Sequence, residues 1–297
     1  MTDYGHDLVF GAMLEAPEDR PLDVLELAGV CESAGLDMVS LADHPYWTER
    51  LDTFTLLTAI ASRTNRVRLL VNLANLPLRP PAMLARVAVT VDLLSGGRFE
   101  LGIGTGNQML WDSIVAEGGP RRGAGESVDA LDEAVQVIRG LWKPGEEVRF
   151  VGKHYGLEGA KPSPAAAHDI GIWLGAYRPR MLRLTGRVAD VWLPNSLALP
   201  TERLPAANAI IDQAAVEAGR SPREVRRAYN IEGDFTARCG FLKGPPAVWA
   251  EQLTELTLAQ GISTYLLYRI GSADVIRRFA AEVVPVVREA VDAERRR

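Results

Sequence analysis

Cysteine is almost absent from this chain. Cys31 and Cys239 are its only two thiols in 297 residues, far apart and in no CxxC arrangement, so neither a disulfide framework nor a structural zinc site is expected. Histidine is scarce too: four residues, at 6, 44, 154 and 168, show no HExxH or other metal-ligand spacing, so no metal site is expected. A GxSxG nucleophile elbow and a P-loop are both missing, which puts serine and metal hydrolysis low among the candidate chemistries. No apolar run reaches the roughly 18 residues of a membrane span. The first residues, "MTDYGHDLVFGAMLEAPEDR", carry acids where a signal peptide would be basic, so a cytoplasmic protein without a membrane span is expected. Charge of one sign is also lacking. With 33 basic and 38 acidic side chains, a net charge of −5 gives no bulk attraction for nucleic acid or anionic membranes and points to a small or locally charged ligand.

What the chain does have is apolar content, 47% hydrophobic residues, enough for an extensive core. Short apolar runs alternate with amphipathic segments: "DLVFGAML" then "PLDVLELAGVCESAG", "LDMVSLAD" then "TFTLLTAIASRT", "RVRLLVNLAN" then "PAMLARVAVTVDLLSGG". The series continues through "RFELGIGTG" with "SVDALDEAVQVIRGLW", "IGIWLGA" with "RPRMLRLTGRV" and "ADVWLPN" with "ERLPAANAIIDQAAVEAG". It closes on "EVRRAYNIEG" with "PPAVWAEQLTELTLAQG" and "STYLLYRIG" with "ADVIRRFAAEVVPVVREAV". Such alternation predicts parallel βαβ units. Eight of them is the number that closes an α/β (β/α)8 TIM barrel, read here as one domain spanning 1–297. A doubly wound open sheet shares the alternation and is the other architecture it allows. Residues 143–169, with "VRFVG" and "HYGLEG", predict a short hairpin excursion between the fourth helix and the fifth strand.

In a barrel, reactive side chains gather at the C-terminal ends of the strands. In "LADHPYW" the apolar run ends at Asp43 and His44, and Pro45 stops further pairing. His44 then serves as a proton donor or acceptor, as an anchor for a bound ring, or simply as a partner of nearby backbone. In "GRFELGIGTGNQMLW" the glycines at 102, 104 and 106 alternate, which is not the dinucleotide fingerprint. Gly104 and Gly106 allow close approach of a ligand while Thr105 and Asn107 offer hydrogen bonds, or the glycines only relieve crowding. Gly175 and Ala176 stand at a strand-to-helix junction suited to a phosphate. Arg180, Arg183 and Arg187 share one face of the following helix, as an extension of that site or a solvated face. Asn72 and Asn75 are polar positions near the end of the third apolar run. Trp47 and Trp111 wall a substrate pocket or pack in the core.

Taken together, "LADH", "LANLPLRPPAMLARVAVTVDLLSGGRFELGIGTG" and "GIWLGAYRPRMLRLTGRVADVWLPN" resemble the bacterial luciferase-like superfamily of flavin and deazaflavin oxidoreductases, over residues 8 to about 290. The "LSGGRFELGIGTG" run with the preceding "RPPAMLA" is the most specific part. The resemblance implies a TIM barrel that binds coenzyme F420 or FMN at its C-terminal mouth and usually forms a homodimer. It implies that Asp43 and His44 face the ring, that a non-proline cis peptide falls near Val71, Asn72 and Leu73, and that Gly104, Thr105, Gly106 and Asn107 line the cofactor. It further implies that Gly175, Ala176, Tyr177 and Arg178 meet the phosphate, and that His44 is the catalytic group. In F420-dependent sugar-phosphate dehydrogenases of this superfamily a Trp after the His and a Glu in the fourth-strand loop assist catalysis. Here Trp47 stands one residue closer to the His than in that pattern, and Asn107 replaces the Glu, which cannot then supply an acid or base. "GAYRPRML" and "LADHPYW" are closer to F420 users than to luciferases, so the expected activity is F420-dependent hydride transfer to or from a small organic substrate. The alternatives are an FMN-dependent monooxygenase fed by a separate reductase, a non-redox barrel enzyme acting on a phosphate substrate, and a non-catalytic flavin-binding protein.

Overall fold

The structure, a computed structural model, describes residues 3–15, 19–106, 108–236 and 239–297. Eight parallel strands form a closed barrel: β1 (Val9–Leu14), β2 (Met38–Leu41), β3 (Arg68–Asn75), β4 (Phe99–Gly104), β7 (Ile172–Leu174), β8 (Val191–Trp192), β9 (Arg226–Ile231) and β10 (Ile262–Ile270). The intervening β5 (Val148–Val151) and β6 (Gly156–Ala160) make a separate antiparallel hairpin. The helices are α1 (Asp23–Ala34), α2 (Thr53–Ala61), α3 (Pro81–Ser95), α4 (Trp111–Ala116), α5 (Ala124–Trp142), α6 (Pro179–Val188), α7 (Leu204–Glu217), α8 (Pro246–Gln260), α9 (Ala273–Arg278) and α10 (Val284–Arg295). Each of the eight apolar runs forms its strand, and the order is that of a closed barrel rather than an open sheet. The chain divides into two compact units, one comprising the chain up to Ser40 with Ala176–Arg297, the other Leu41–Gly175.

In the first unit β1 pairs with β2 and β10, β10 with β9, and β9 with β8. Strand β8 is shorter than the apolar run around it because Pro194 has no N–H to give a ladder. Pairing resumes only as a single bridge between Asn195 and Asn230. Fully buried Arg227 is held by Asp212, Asn208 and Tyr4. Near the C-terminus a widened π turn, Phe279–Val283, stands between α9 and α10, just ahead of Pro285, whose ring and missing N–H cannot continue a regular ladder.

The second unit carries β3 against β4 and β4 against β7. Buried on both faces, β3 reads as a nearly continuous apolar run. Gly102 is required for packing, since a Cβ there would lie 2.2 Å from the Val71 carbonyl oxygen. The N-terminal strand ends carry a polar cluster. Asp92 of α3, fully buried, accepts from the Ala167 and His168 N–H groups and lies 2.7 Å from His168 Nδ1. Glu100 accepts from Gly171 N–H and Trp173 Nε1, pairs with Arg68, and lies 3.5 Å from His168 Nε2. The predicted hairpin is present, anchored by Glu133 of α5, which accepts the N–H groups of Lys153, His154 and Tyr155. Helix α5 begins three residues earlier than the sequence pattern, at Ala124, where the Glu126 carboxylate accepts the Gly123 N–H. The short α4 before it was not expected.

Candidate active site

The C-terminal ends of β2, β3 and β4 supply the first group of candidate residues. Past Leu41 the chain turns, with the Trp47 N–H donating to the His44 carbonyl. Asp43 is 2% exposed. Its Oδ2 accepts the Asn75 N–H at 2.8 Å and Arg79 Nε at 2.6 Å, while Oδ1 accepts Arg79 Nη2 at 2.7 Å. Arg79 also donates to Asp52 at 2.6 Å and lies 4.7 Å over the Phe54 ring. Burial opposes the charge on Arg79, but the two carboxylates outweigh it and raise its pKa. The same partner holds Asp52 below its ordinary value: burial pushes that carboxyl up, and Arg79 with the Thr55 N–H and hydroxyl more than reverse the effect. A bidentate pair of this kind fixes geometry. Asp43 therefore ties the end of β2 to the end of β3, and its oxygens are already committed to that task.

His44 is half-buried. Its ring lies 4.2 Å from the Trp47 ring at an angle of 31°, and its Nδ1 is 2.9 Å from the Tyr46 hydroxyl. Burial, followed by the charge of Asp43, raises the Tyr46 pKa, and the Asn75 side chain opposes this. Asn75 is 5% exposed, and its side-chain Oδ1 is buried without a hydrogen-bond partner. Tyr46 and Arg79 were not singled out from the sequence, and Asn75 had no role there. The available signals were a hydroxyl two residues after the His and an arginine opening "RPPAMLA".

The cis peptide falls where the resemblance placed it, between Asn72 and Leu73. Val71 and Asn72 are buried, Leu73 is half-buried, and the register of β3 against β4 slips between Val71 and Ala74. Gly104 differs from Gly102. A Cβ there would make only ordinary contacts, 3.5 Å from Leu73 and 3.7 Å from the Ala74 carbonyl oxygen, so crowding does not demand glycine. Gly106 has φ +84° and a Cβ there would press on Pro77 at 2.9 Å, so its backbone shape explains it. Thr105 is half-buried, with its hydroxyl 3.3 Å from the Gly106 carbonyl. Asn107 lies outside the described residues. Trp111 opens α4 and is 7% exposed, in keeping with the packing alternative.

The junction of β7 and α6 supplies the second group. Gly175 follows β7 and is half-buried, whereas Ala176 is fully buried with its carbonyl accepting Trp192 Nε1 at 3.0 Å. Burial pushes the Tyr177 phenol up to about 12, with the Asn195 backbone opposing the shift. Arg178 is exposed and precedes Pro179, the first residue of α6, so the first N–H groups of that helix lack intrahelical partners. Arg180, Arg183 and Arg187 are exposed along it. Among the described residues no cluster of three or more His, Cys, Asp or Glu is placed to hold a metal ion.

An eight-stranded α/β barrel with its unassigned polar groups at the C-terminal strand ends is an enzyme architecture. Residues 7–232 match the luciferase-like monooxygenase family, and the chain belongs to it. It is 32% identical over 209 residues to a 5,10-methylenetetrahydromethanopterin reductase of Methanolobus tindarius, covering 70% of this chain and 60% of that protein, so the chain spans less than two thirds of that relative. Identity is 30% over 266 residues to an F420-dependent glucose-6-phosphate dehydrogenase of Nocardia farcinica (strain IFM 10152), covering 84% of this chain and 78% of the other. Among solved structures, an F420-dependent secondary alcohol dehydrogenase superposes with a TM-score of 0.82 over 95% of this chain and all of its own, at 21% identity, which is a likeness of fold. These relatives are oxidoreductases.

Proposed function

We propose that this chain is an F420-dependent oxidoreductase acting on a small organic substrate. One observation carries the reading. The C-terminal strand ends hold a half-buried imidazole, a glycine that packing does not require, and the buried Asn75 carbonyl without a protein partner. A planar ring with an N–H edge, such as the pyrimidine edge of a deazaflavin or flavin, satisfies that acceptor. When bound, the deazaflavin supplies hydride exchange with the substrate. The chain does the rest: Asp43 and Arg79 fix the β2 and β3 ends, and His44, backed by Trp47, orients the reacting partners by hydrogen bonding. Val71, Asn72 and Leu73 with Gly104, Thr105 and Gly106 form the bed of the ring. Gly175, Ala176, Tyr177 and Arg178 at the start of α6 meet the phosphate, and the arginines along α6 suit an acidic tail. Trp47 borders the substrate. F420 is preferred to FMN because an F420-dependent glucose-6-phosphate dehydrogenase is 30% identical to this chain over 266 residues.

The family match itself favours a second reading, an FMN-dependent monooxygenase served by a separate reductase. The protein is proposed to be a single-domain cytoplasmic homodimer. The apolar groove between α2 and α3, lined by Phe54, Leu78, Met83, Val87 and Leu94, offers the dimer face, with Met83 and Leu94 55% and 64% exposed. No helix among the described residues is long and apolar enough to cross a membrane.

The test is parallel titration of the purified protein with F420 and FMN, followed by tryptophan fluorescence in one buffer. Saturable and much tighter F420 binding is expected, followed by a screen of alcohols, carbonyls and imines for deazaflavin absorbance change. Tight FMN binding with weak F420 binding would transfer the assignment to the monooxygenase, and binding of neither would overturn the redox reading.

A further inference from the structure

We propose that Thr53 is a positioning residue for His44: its buried hydroxyl, together with the Arg79 clamp, ties the two ends of the loop 43–52 into one rigid base and so sets the angle of the imidazole. The role in turnover rests on the hydride-transfer reading above, whereas the rigid base stands on contacts within the protein. Thr53 opens α2, is 2% exposed and donates its hydroxyl to the Ala42 carbonyl at 2.7 Å. Ala42 is the first residue beyond β2. One position further along each arm, Asp43 and Asp52 both accept from Arg79. The loop is therefore closed by two successive rungs, Ala42 with Thr53 directly and Asp43 with Asp52 through the guanidinium.

A single tie leaves a loop free to swing about it, whereas two adjacent ties remove that axis. The segment between them is already folded on itself. The Trp47 N–H donates to the His44 carbonyl at 3.1 Å and the Arg50 N–H to the Trp47 carbonyl at 3.0 Å. The Trp47 ring lies 4.2 Å from the imidazole and has the Arg50 guanidinium 5.6 Å from its centre. A segment folded this way tilts as a unit, and its tilt is decided at its base. Of the two rungs, the outer one ends on the partly exposed Asp52 and is weakened by solvent. The Thr53 bond is buried, where water competes least. Asp52 also accepts the Thr55 N–H at 2.9 Å, which joins the base to α2. Misplacing a reacting group by about 1 Å can cost on the order of 100-fold in rate, so a base that holds an angle matters more to turnover than to stability.

Amide hydrogen exchange of the cofactor-free protein, read by mass spectrometry, tests the rigid base. Thr53→Val keeps the shape of the side chain and removes the hydroxyl. Exchange across residues 44–51 is expected to rise about tenfold while that of the rest of α2 stays unmoved, and Thr53→Ser should keep the wild-type rates. Asp52→Asn strikes the outer rung alone and raises the same exchange by a smaller factor, which keeps the test decisive if Thr53→Val does not fold. Turnover then separates positioning from plain stability. In Thr53→Val, kcat should fall about 10- to 100-fold with F420 affinity kept, and Thr53→Ser should recover it. Thr64→Val is the control. It deletes a comparably short bond from another buried hydroxyl, Thr64 to the Ile60 carbonyl at 2.8 Å, and should lower the thermal midpoint without slowing turnover. Unchanged exchange across 44–51 in both Thr53→Val and Asp52→Asn would overturn the rigid base, and a Thr64→Val enzyme as slow as Thr53→Val would overturn the positioning role. Failure of F420 to bind the wild-type protein would strike the function proposed above and leave the exchange result standing.

Discussion

Two histidines of the unit Leu41–Gly175 stand beside buried carboxylates, one at each end of the strands. At the N-terminal ends, His168 is placed between Asp92 and Glu100, and those carboxylates also receive backbone N–H groups, Trp173 and Arg68. At the C-terminal ends, the carboxylate of Asp43 is taken up by Arg79 and the Asn75 N–H, and His44 meets the Tyr46 hydroxyl and the Trp47 ring. The first arrangement spends its polar groups on joining α3, β3, β4 and β7. The second spends its carboxylate on joining the ends of β2 and β3, and beside it the Asn75 amide carbonyl is buried without a partner in the protein. The two ends teach that a histidine near an acid is informative through what the acid is already doing.

Arg79→Met should have the largest effect, because it strikes the one part of the C-terminal end that is built like the other. A buried carboxylate deprived of its partner costs about 3–5 kcal/mol, read by urea unfolding, and cofactor affinity should fall with it. A loss of stability below about 1 kcal/mol would mean that the clamp is not structural. Asp92→Ala, at the opposite end, leaves the Ala167 and His168 N–H groups and the His168 ring without their acceptor. It should cost about 2–3 kcal/mol with cofactor affinity unchanged in the folded protein. A large change in affinity would erase the distinction between the ends. His44→Ala should do the reverse, lowering turnover about 100- to 1,000-fold with an unmoved thermal midpoint, and full turnover would remove His44 from the chemistry.

The smallest effect belongs to Asp52, a little under half exposed and held below its ordinary pKa of 3.8 by Arg79 and Thr55 against the opposing pull of burial. A carboxyl depressed in the folded state stabilises it fully above the ordinary value, and that contribution fades as pH falls through the lower folded value. Solvent screening limits it to about 0.5–1 kcal/mol. Asp52→Asn should therefore narrow the gap between unfolding midpoints measured near neutrality and in acid, and an unchanged gap would show that Asp52 adds nothing.

The strands were legible because parallel strands buried on both faces are largely apolar, as "RLLVNLAN" is through its Leu, Val and Ala and "STYLLYRI" through its Tyr, Leu and Ile. The exceptions have local causes: Pro194 cuts β8 short, and the Glu126 cap starts α5 early. Asp43 and His44 were legible because they interrupt such a run at its end. Their partners were not. Arg79 and Asn75 meet Asp43 from 36 and 32 residues away, and no local period encodes a contact made across a strand and a helix. Tyr46 is close in sequence to His44, but its hydroxyl meets the imidazole only because of the way the chain turns after β2, so adjacency alone could not reveal it.

Arg79 has a consequence for anyone redesigning this protein. Its guanidinium clamps the turn that carries His44, and its side chain also lines the groove between α2 and α3 beside Phe54 and Met83. Surface engineering of that groove, for solubility, immobilisation or a changed assembly, cannot treat it as neutral ground. Met83 and Leu94 can be altered on their own terms, whereas a change at Arg79 rewrites the support of the imidazole as well.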